Sequence, residues 1–335
     1  MSKLPVGKVD PNFLEKLLSR HTHQNKRVII GAGIGEDAAI IDMGRNYLVA
    51  KTDPITHVTG DLGHYAVNIN ANDIAAMGGK PLWFLATVLI PEGSLAEELE
   101  RIFSQLSESC STLGITYCGG HTEITTSVRN PVVIGQMLGE VDPENLKPSS
   151  GAKEGDDLLM TKCAAIEATA IMALERREVL VERLGEDFVG RAAAYLRDPG
   201  LSVLKEAGIV ASFREVHALH DPTEGGIATG VFEIATASGL GAEMDVDLIP
   251  ITDETRRLCD FFDINPLGTF ASGSLLIAVA PSATRKVIDR LGAEGIPAVR
   301  IGSLVPVDRG MVLLKGGKAG PLPVYHQDEL SRIFG

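Results

Sequence analysis

The stretch NANDIAAMGG, residues 70–79, places a carboxylate where an apolar residue is expected. In the helix predicted over residues 61–78, the apolar side chains follow the i, i+3, i+4, i+7 spacing of a buried stripe: Leu62, Tyr65, Ala66 and Ile69. At about 100° per residue, Asp73 falls within about 20° of that stripe. A buried, unpaired carboxylate costs several kcal/mol or shifts its pKa until it is neutral. Either a cation meets Asp73, or the helix frays first and Asp73 caps a local turn.

The overall composition excludes several classes of protein. The chain has 335 residues, of which 44% are hydrophobic and 22% are charged, enough for two domains with buried cores. A formal net charge of −13 argues against a nucleic-acid partner, which normally requires a basic face. The longest uncharged run, residues 264–284, is broken by prolines and glycines. Its apolar part is too short to cross a membrane. We therefore expect neither a nucleic acid nor a membrane as a partner.

The cysteines and the N-terminal residues both indicate the cellular compartment in which the protein is expected. The four cysteines are scattered and form no CxxC pair: Cys110, Cys118, Cys163 and Cys259. A disulfide framework or a zinc site is therefore not expected. The N-terminal residues show no signal-peptide pattern. We expect a cytoplasmic protein.

Strand and helix signals alternate along the first half of the chain. Short strands are predicted over residues 27–31, 38–42 and 47–52, and a buried strand over 81–91. An amphipathic helix is predicted over 94–114, with Ser94 as its cap and Glu97 three residues later. The segments ITYCGG and PVVIGQMLGEV complete the first set of strands.

A polar loop at residues 142–156, with two prolines and two glycines, is the predicted domain boundary. It divides the chain into domains at 1–148 and 149–335. The second set of elements comprises predicted strands at 157–163, 274–280 and 298–304 and predicted helices at about 165–176, 225–238 and 282–295. Mixed elements in both halves predict two α/β or α+β domains.

Common nucleotide-binding and hydrolytic motifs are absent from the sequence. GAGIG at 31–35 lacks the GxGxxG spacing of a dinucleotide site, and the residues after it read as a strand instead of a helix. The sequence contains no GxxxxGK[ST] loop, no HExxH and no GxSxG. A nucleotide would have to bind without the lysine-bearing phosphate loop.

Two further aspartates change the interpretation of Asp73. Asp37 follows a glycine-rich turn, and Asp53 ends the predicted strand YLVAKTD. Each alone is typical of a turn residue. Carboxylates at the ends of elements, near glycines that allow close backbone approach, are also what Mg²⁺ with a polyphosphate requires. A shared metal site for Asp37, Asp53 and Asp73 is therefore a hypothesis.

Two segments combine tandem glycines with polar side chains: CGGHTE at 118–123 and HDPTEGGIATG at 220–230. Tandem glycines expose backbone N–H groups, and the second pair opens an apolar-periodic helix whose N-terminus attracts anions. Simple turns, with His121 and His220 as core imidazoles, are the alternative. Lys8 and Lys51 are possible phosphate contacts or ordinary surface lysines.

Taken in order, several segments resemble the aminoimidazole-ribonucleotide (AIR) synthetase superfamily, which is PurM-like. They are GIGEDAAIID, TDPIT, GDLGHYAVNINANDIAAMGGKPLW, GGHTE, GDDLLMTK, DPTEGGIA and ASGSLLIAV. The resemblance spans nearly the whole chain, and NDIAAMGGKP is its most specific segment. Members include the purine synthetase, selenophosphate synthetase, thiamine-monophosphate kinase and the hydrogenase-maturation carbamoyl dehydratase.

The resemblance implies an architecture. An N-terminal α+β domain, about 1–148, pairs with its copy in a homodimer through sheets that form a β-barrel. A C-terminal α/β domain, about 149–335, packs beside it. ATP and Mg²⁺ are the implied cofactors, with ATP bound in the cleft between the domains.

The resemblance also implies roles for individual residues. Asp37, Asp53 and Asp73 would hold Mg²⁺ on the ATP phosphates, and Asp73 would also act in catalysis with Asp221 and His121. The remaining expected nucleotide contacts are Gly119, Gly120, Thr122, Glu123, Thr223, Gly225 and Gly226.

The implied activity is transfer of the ATP γ-phosphoryl group to a small-molecule acceptor. The sequence is most similar to the hydrogenase-maturation dehydratase branch, which modifies a cysteine at its own C-terminus. This chain has no cysteine after Cys259, so we expect a different, unidentified acceptor. A thiamine-monophosphate-kinase-like kinase and a non-catalytic ATP-binding partner in metalloenzyme maturation remain alternatives.

Overall fold

The computed structural model describes residue 4 and residues 7–23, 25–56, 58, 60–325 and 327–334. In the first half, the helices are α1 (Pro11–His21), α2 (Leu62–Ala76) and α3 (Ala96–Leu113). The strands there are β1 (Val28–Ile30), β2 (Ala39–Asp42), β3 (Tyr47–Ile55), β4 (Lys80–Pro91), β5 (Thr116–Thr125) and β6 (Val132–Val141).

The second half begins with β7 (Asp157–Thr161) and contains six further strands. These are β8 (Val216–His220), β9 (Gly241–Asp245), β10 (Leu276–Val279), β11 (Ala298–Val305), β12 (Met311–Lys315) and β13 (Lys318–Pro321). Its helices are α4 (Ile166–Glu175), α5 (Arg177–Leu184), α6 (Glu186–Ala194), α7 (Leu204–Ala211), α8 (Gly226–Ala237), α9 (Asp253–Phe262), α10 (Thr284–Gly292) and the short α11 (Ser331–Phe334).

Each half is built on one sheet. The first sheet has the order β1-β2-β3-β6-β4-β5, and only the β4–β5 pair, joined through α3, is parallel. Helix α2 lies on this sheet against β3 and β6, with α3 beside it. The buried positions of β4 alternate with half-buried ones, so the sheet has one covered face.

The second sheet has the order β13-β12-β9-β11-β7-β10-β8, and only the β12–β9 pair is parallel. Side chains of α8 join one apolar cluster with Leu158 and Met160 of β7, whereas α7 and α10 share another cluster with Leu159. Because neighbouring residues of a strand point to opposite faces, this sheet is covered on both sides. The central strand β7 is accordingly buried throughout.

Helix α2 lies between the two halves. All of its residues except His64 are buried, so the predicted one-sided stripe is wrong: the second half covers the face opposite the first sheet. The helix continues through Asp73 to Ala76, which also excludes the frayed-end alternative. A helix buried on every side must satisfy its polar side chains internally.

The buried asparagines of α2 meet that requirement with backbone partners. Asn70 accepts from the N–H of Asp53 in β3 at 2.9 Å and donates to the carbonyl of Ala66. Asn72 reaches the second half, where it donates to the carbonyl of Leu201 at 2.7 Å and accepts from the N–H of Val203 at 2.9 Å. Alternate asparagines thus attach α2 to both halves.

The connection over residues 142–156 is held by both halves. The N–H of Lys147 donates to the carbonyl of Met77 at the end of α2, and the Lys147 carbonyl accepts from the N–H of Leu219 in β8. The hydroxyl of Ser149 contacts Asp37, the carbonyl of Leu219 and the ring of His220. The predicted boundary at 148 therefore lies between residues that are hydrogen-bonded to both halves.

Several local predictions need correction. Helix α3 begins at Ala96 without a capping side chain, because the N–H of Ser94 closes a turn onto Pro91 instead. GGHTE lies inside strand β5, not in a loop. The helices α5, α6 and α7 were not predicted. Among the described residues, no helix is long and apolar enough to span a bilayer.

We expect Asn72→Ala to destabilise the protein by about 2–4 kcal/mol, because a buried carbonyl and a buried N–H lose their partners together. Chemical denaturation of the variant and the wild type measures the difference. Asn46→Ala is the control, since Asn46 makes a single contact of 3.5 Å with Glu140 at the surface. Equal losses for both variants would contradict this account of Asn72.

We expect His64 to make the protein acid-sensitive. Its Nε2 lies 3.2 Å from the carbonyl of Leu196, which requires a proton on that nitrogen, and Asn68 donates to Nδ1. Burial and the nearby Arg197 lower the pKa of His64 to about 4. Between that value and the ordinary one of 6.5 the unfolded chain binds the extra proton, so His64-dependent stability is lost as the pH falls through this range.

The expected loss at pH 5 is about 2 kcal/mol relative to pH 7.5. The variant His64→Gln retains hydrogen-bonding capacity but cannot titrate, so it should be less acid-sensitive than the wild type by this amount. Thermal unfolding of both proteins across pH 4.5–7.5 measures the difference. Parallel pH profiles for the two proteins would contradict the assignment.

Candidate functional site

A cavity of about 320 Å³ lies between the halves, bounded by β3, α2, the loop before β2 and the β8–α8 connection. Among the described residues, its lining contains eight acidic side chains and three basic ones. The acidic ones are Glu36, Asp37, Asp53, Asp73, Glu167, Asp221, Glu224 and Glu233, and the basic ones are Lys8, Lys51 and His220.

Asp73 meets a cation in this cavity. Its Oδ1 lies 2.8 Å from Nζ of Lys51, and the same Nζ lies 3.5 Å from Oδ2 of Asp53. Burial opposes the charge on Lys51, but Asp73 and Asp53 outweigh it and hold the pKa of Lys51 above its ordinary value. The second oxygen of Asp73, Oδ2, is buried and has no hydrogen-bond partner.

Asp73 belongs to a group of three buried carboxylates that converge in the cavity. Asp37, Asp73 and Asp221 each offer an oxygen atom, and these atoms lie within 4.8 Å of one another. Both oxygens of Asp221 are buried and have no hydrogen-bond partner within the part of the chain that the structure describes. Burial and the neighbouring charges of Asp73 and Asp37 raise the pKa of Asp221 well above its ordinary value. Burial likewise raises the pKa of Asp73, although Lys51 opposes the shift.

These oxygens fit a divalent cation. Mg²⁺ takes carboxylate ligands together with water and phosphate oxygens. Carboxylates that are buried without partners are otherwise unfavourable. A bound cation would compensate the three charges and lower the same pKa values.

His220 joins the cluster to a chain of ion pairs. Its Nδ1 lies 2.8 Å from Asp37, and its Nε2 lies 3.1 Å from Glu233, which pairs with Lys8 at 2.9 Å. Because both ring nitrogens face carboxylates, both carry protons. Burial opposes this charge, but Asp37 and Glu233 hold the pKa of His220 well above its ordinary value. Despite burial, His220 and Lys8 lower the pKa of Glu233 to about 2.

The sequence-predicted residues separate into two groups. Asp37, Asp53, Asp73, Asp221 and Thr223 all line the cavity. Asp53 lies outside the group of three convergent carboxylates and contacts Asp73 only through Lys51. It also does not end its strand, since β3 continues to Ile55.

Gly225 and Gly226 serve close packing. The N–H of Gly225 donates to Asp328 and that of Gly226 to the carbonyl of Thr223, so neither is available to a phosphate here. Both have positive φ, and a Cβ on Gly225 would approach Oγ1 of Thr229 to 2.5 Å.

The GGHTE residues do not line the cavity of their own chain. Strand β5 pairs with β4 at the edge of the first sheet, and the side chain of His121 is 68% exposed. The five residues concerned are Gly119, Gly120, His121, Thr122 and Glu123. Within the described chain they are therefore not brought to the carboxylate cluster, and their contact with a nucleotide stays a prediction.

Two buried side chains of the cavity were not predicted. Glu167, in the first turn of α4, has an unpartnered Oε2, and burial raises its pKa to about 7 although Ser272 opposes the shift. The hydroxyl of Tyr65 is also buried without a partner, within electrostatic range of Glu167. These groups give the cavity a second polar region, and Glu167 can exchange a proton near neutral pH.

The pairing of Lys51 could have been recognised in the sequence, since Lys51 and Asp53 are two apart in a predicted strand and share a face. No comparable signal marked Glu167, because IEATAIMALE reads as an ordinary apolar helix. The role of His220 depends on Glu233, which is thirteen residues away in the sequence, in the second half of α8.

Comparison with known proteins identifies the family. Residues 35–141 match the family model "AIR synthase related protein, N-terminal domain", and residues 153–315 match the corresponding C-terminal domain. A Methanocaldococcus jannaschii protein named for hydrogenase expression and formation is 28% identical over 85% of each chain. The selenide, water dikinase of Dechloromonas aromatica is 30% identical, covering 75% of this chain and 70% of its own.

The fold is also found among solved structures. The hydrogenase maturation protein HypE in complex with ATP superposes with a TM-score of 0.73, covers 96% of each chain and is 22% identical. The predicted two-domain architecture is thereby confirmed, whereas the dimeric barrel stays a prediction. From its ordered motifs, its two matched domains and its fold, this chain is a member of the AIR synthase related protein family.

Proposed function

We propose that this protein is an ATP- and Mg²⁺-dependent phosphoryl-transfer enzyme that activates a small-molecule acceptor. The observation that carries the proposal is the set of unpartnered oxygens of Asp73 and Asp221 beside Asp37, buried in one cavity between the halves. Mg²⁺ would bind to these three carboxylates and supply the charge that neutralises the phosphates.

The charge of the cavity supports the need for a cation. A polyphosphate cannot enter a cavity with eight acidic and three basic side chains unless further positive charge accompanies it. Lys8 and Lys51 both line the cavity, but each is paired with a carboxylate. The protein would contribute positioning and charge neutralisation, which are most of what phosphoryl transfer requires.

The names of the relatives are consistent with this chemistry. A dikinase transfers phosphoryl groups, and the HypE structure contains ATP. We place the acceptor at the region of Glu167 and Tyr65, whose unpartnered oxygens would receive its hydrogen-bond donors. A screen of candidate acceptors, with ADP, phosphate and phosphorylated product all quantified, separates a kinase from an enzyme that releases phosphate.

We expect Asp221→Asn and Asp73→Asn each to lower the affinity for ATP with Mg²⁺ at least tenfold, because a charged metal ligand is lost. For Asp221→Asn we also expect an unchanged or higher Tm without ligand. Neither carboxylate oxygen has a hydrogen-bond partner to lose, and the substitution removes an uncompensated buried charge. Calorimetry and thermal unfolding measure the two effects.

Asp308→Asn is the matched control, because Asp308 is an exposed aspartate outside the cavity. It should leave the affinity unchanged. If wild type and both cavity variants bind ATP equally, with the same metal dependence, the assignment of the carboxylates fails. If wild type does not bind ATP with Mg²⁺, the proposed function fails.

We further propose that the protein forms a homodimer through β5. Within the described residues, β5 pairs only with β4, and its other edge is free. Eight of its ten residues are exposed, among them Ile124 at 66%. An exposed, unpaired edge strand of this length invites pairing with another strand.

We expect Ile124→Lys to shift the protein from dimer to monomer, because it replaces an exposed apolar side chain of the pairing strand with a charge that the interface would bury. Light scattering after size-exclusion chromatography should give about twice 35.6 kDa for wild type and 35.6 kDa for the variant. Ser107→Lys, an exposed substitution on α3, is the control and should remain dimeric. A monomeric wild type would refute the dimer.

A further inference from the structure

Lys51 occupies the space between two carboxylates of the cavity. Its Nζ lies 2.8 Å from Asp73 and 3.5 Å from Asp53, although the two aspartates belong to different elements, α2 and β3. Only 21% of its side chain is exposed. The ammonium group therefore holds together two carboxylates that would otherwise repel each other.

The backbone at Lys51 is rigid. Strand β3 pairs with β6 at Lys51 and on to Ile55, and it pairs with β2 up to the preceding residue, Ala50. The N–H of Asp53 is bound by Asn70 of α2, which fixes the strand against the helix that carries Asp73. The position of the ammonium group is thus set by a sheet interior, not by a flexible loop.

The two carboxylate oxygens of Asp73 have different surroundings. Oδ1 accepts from Lys51, whereas Oδ2 is buried without a partner. Asp73 also belongs to the convergent group with Asp37 and Asp221, and Asp53 does not. One side of Asp73 is therefore already neutralised by the chain, and the other side requires a cation from solution.

We propose that Lys51 is a built-in cation of this site, filling the position that a second divalent ion would take between Asp53 and Asp73. The site then binds one divalent ion for each nucleotide, at Asp37, Asp73 and Asp221. The inference deepens the proposed function, because it specifies how the charge of that site is supplied.

The ammonium group retains a means of contacting the substrate. The ammonium group has three N–H groups and donates one hydrogen bond to Asp73, with Asp53 at 3.5 Å, so a further donor would be free to contact a phosphate oxygen. Because Lys51 lies on a strand, its ammonium group would hold one of the positive charges that neutralise the phosphates at a fixed position. A second divalent ion would instead have to be recruited from solution with each turnover.

Manganese counting tests the proposal. Mn²⁺ binding to the full chain is measured by electron paramagnetic resonance, with and without the non-hydrolysable analogue AMPPNP, and bound analogue is quantified in the same samples. The variant is Lys51→Met, which keeps the length of the side chain and removes its charge. The matched control is Lys8→Met, because Lys8 lines the same cavity and pairs with Glu233 but lies outside the Asp53–Asp73 pair.

We expect one Mn²⁺ per chain in wild type and in Lys8→Met, and two in Lys51→Met with spin coupling between neighbouring ions. Two ions in wild type would overturn the proposal, and so would a single ion in a folded Lys51→Met. The wild-type count remains decisive if Lys51→Met does not fold.

The proposed function can fail separately. If wild type does not bind AMPPNP, nucleotide-dependent chemistry is refuted, while the Mn²⁺ counts without nucleotide still compare Lys51→Met with wild type. A gain of one ion on loss of Lys51 would then support the built-in cation. An equal count would refute it.

Discussion

Burial of a polar helix between two domains is the constraint on which this structure depends. Helix α2 carries Asn68, Asn70, Asn72 and Asp73 within six residues, and all four are buried. Each asparagine side chain is bound to backbone groups, and Asp73 is bound to Lys51. The two halves can pack against α2 only in the arrangement that satisfies these groups, so the same contacts that join the halves also shape the cavity.

In the cavity, basic side chains compensate some of the acidic ones but not all of them. Lys51 and the protonated His220 compensate Asp73 and Asp37 from one side each. Asp221 has no such partner, and it is the group that most needs a cation from solution. This arrangement compensates part of the acidic cluster in the free protein and leaves Asp221 as the carboxylate to which the proposed metal ion would bind. The unpaired charge lowers stability, which is the usual consequence of preparing a binding site in advance.

Much of this organisation could be predicted from the sequence. The alternation of elements predicted two mixed domains, and the ordered motifs predicted the AIR-synthase-like fold, which is confirmed. Asp37, Asp73 and Asp221 were all named, and the structure brings them together.

What could not be predicted depends on contacts between distant elements. The second half covers the outer face of α2, which no periodicity within the helix reveals. Gly225 and Gly226 looked like phosphate donors, but their N–H groups are used by Asp328 and Thr223. For GGHTE the sequence left open a simple turn or glycines with exposed N–H groups, whereas β4 provides a pairing partner along the whole segment.

The hydrogen-bonded connection between the halves has a consequence for how the protein can evolve and be engineered. Ser149, within that connection, contacts Asp37 on one side and His220 on the other. Neither half is therefore an independent unit. Exchanging one half with that of a relative would also have to transfer the connection and restore the contacts that support Asp37. Recombination between family members should be tolerated at surface turns within a half before it is tolerated at the apparent domain border.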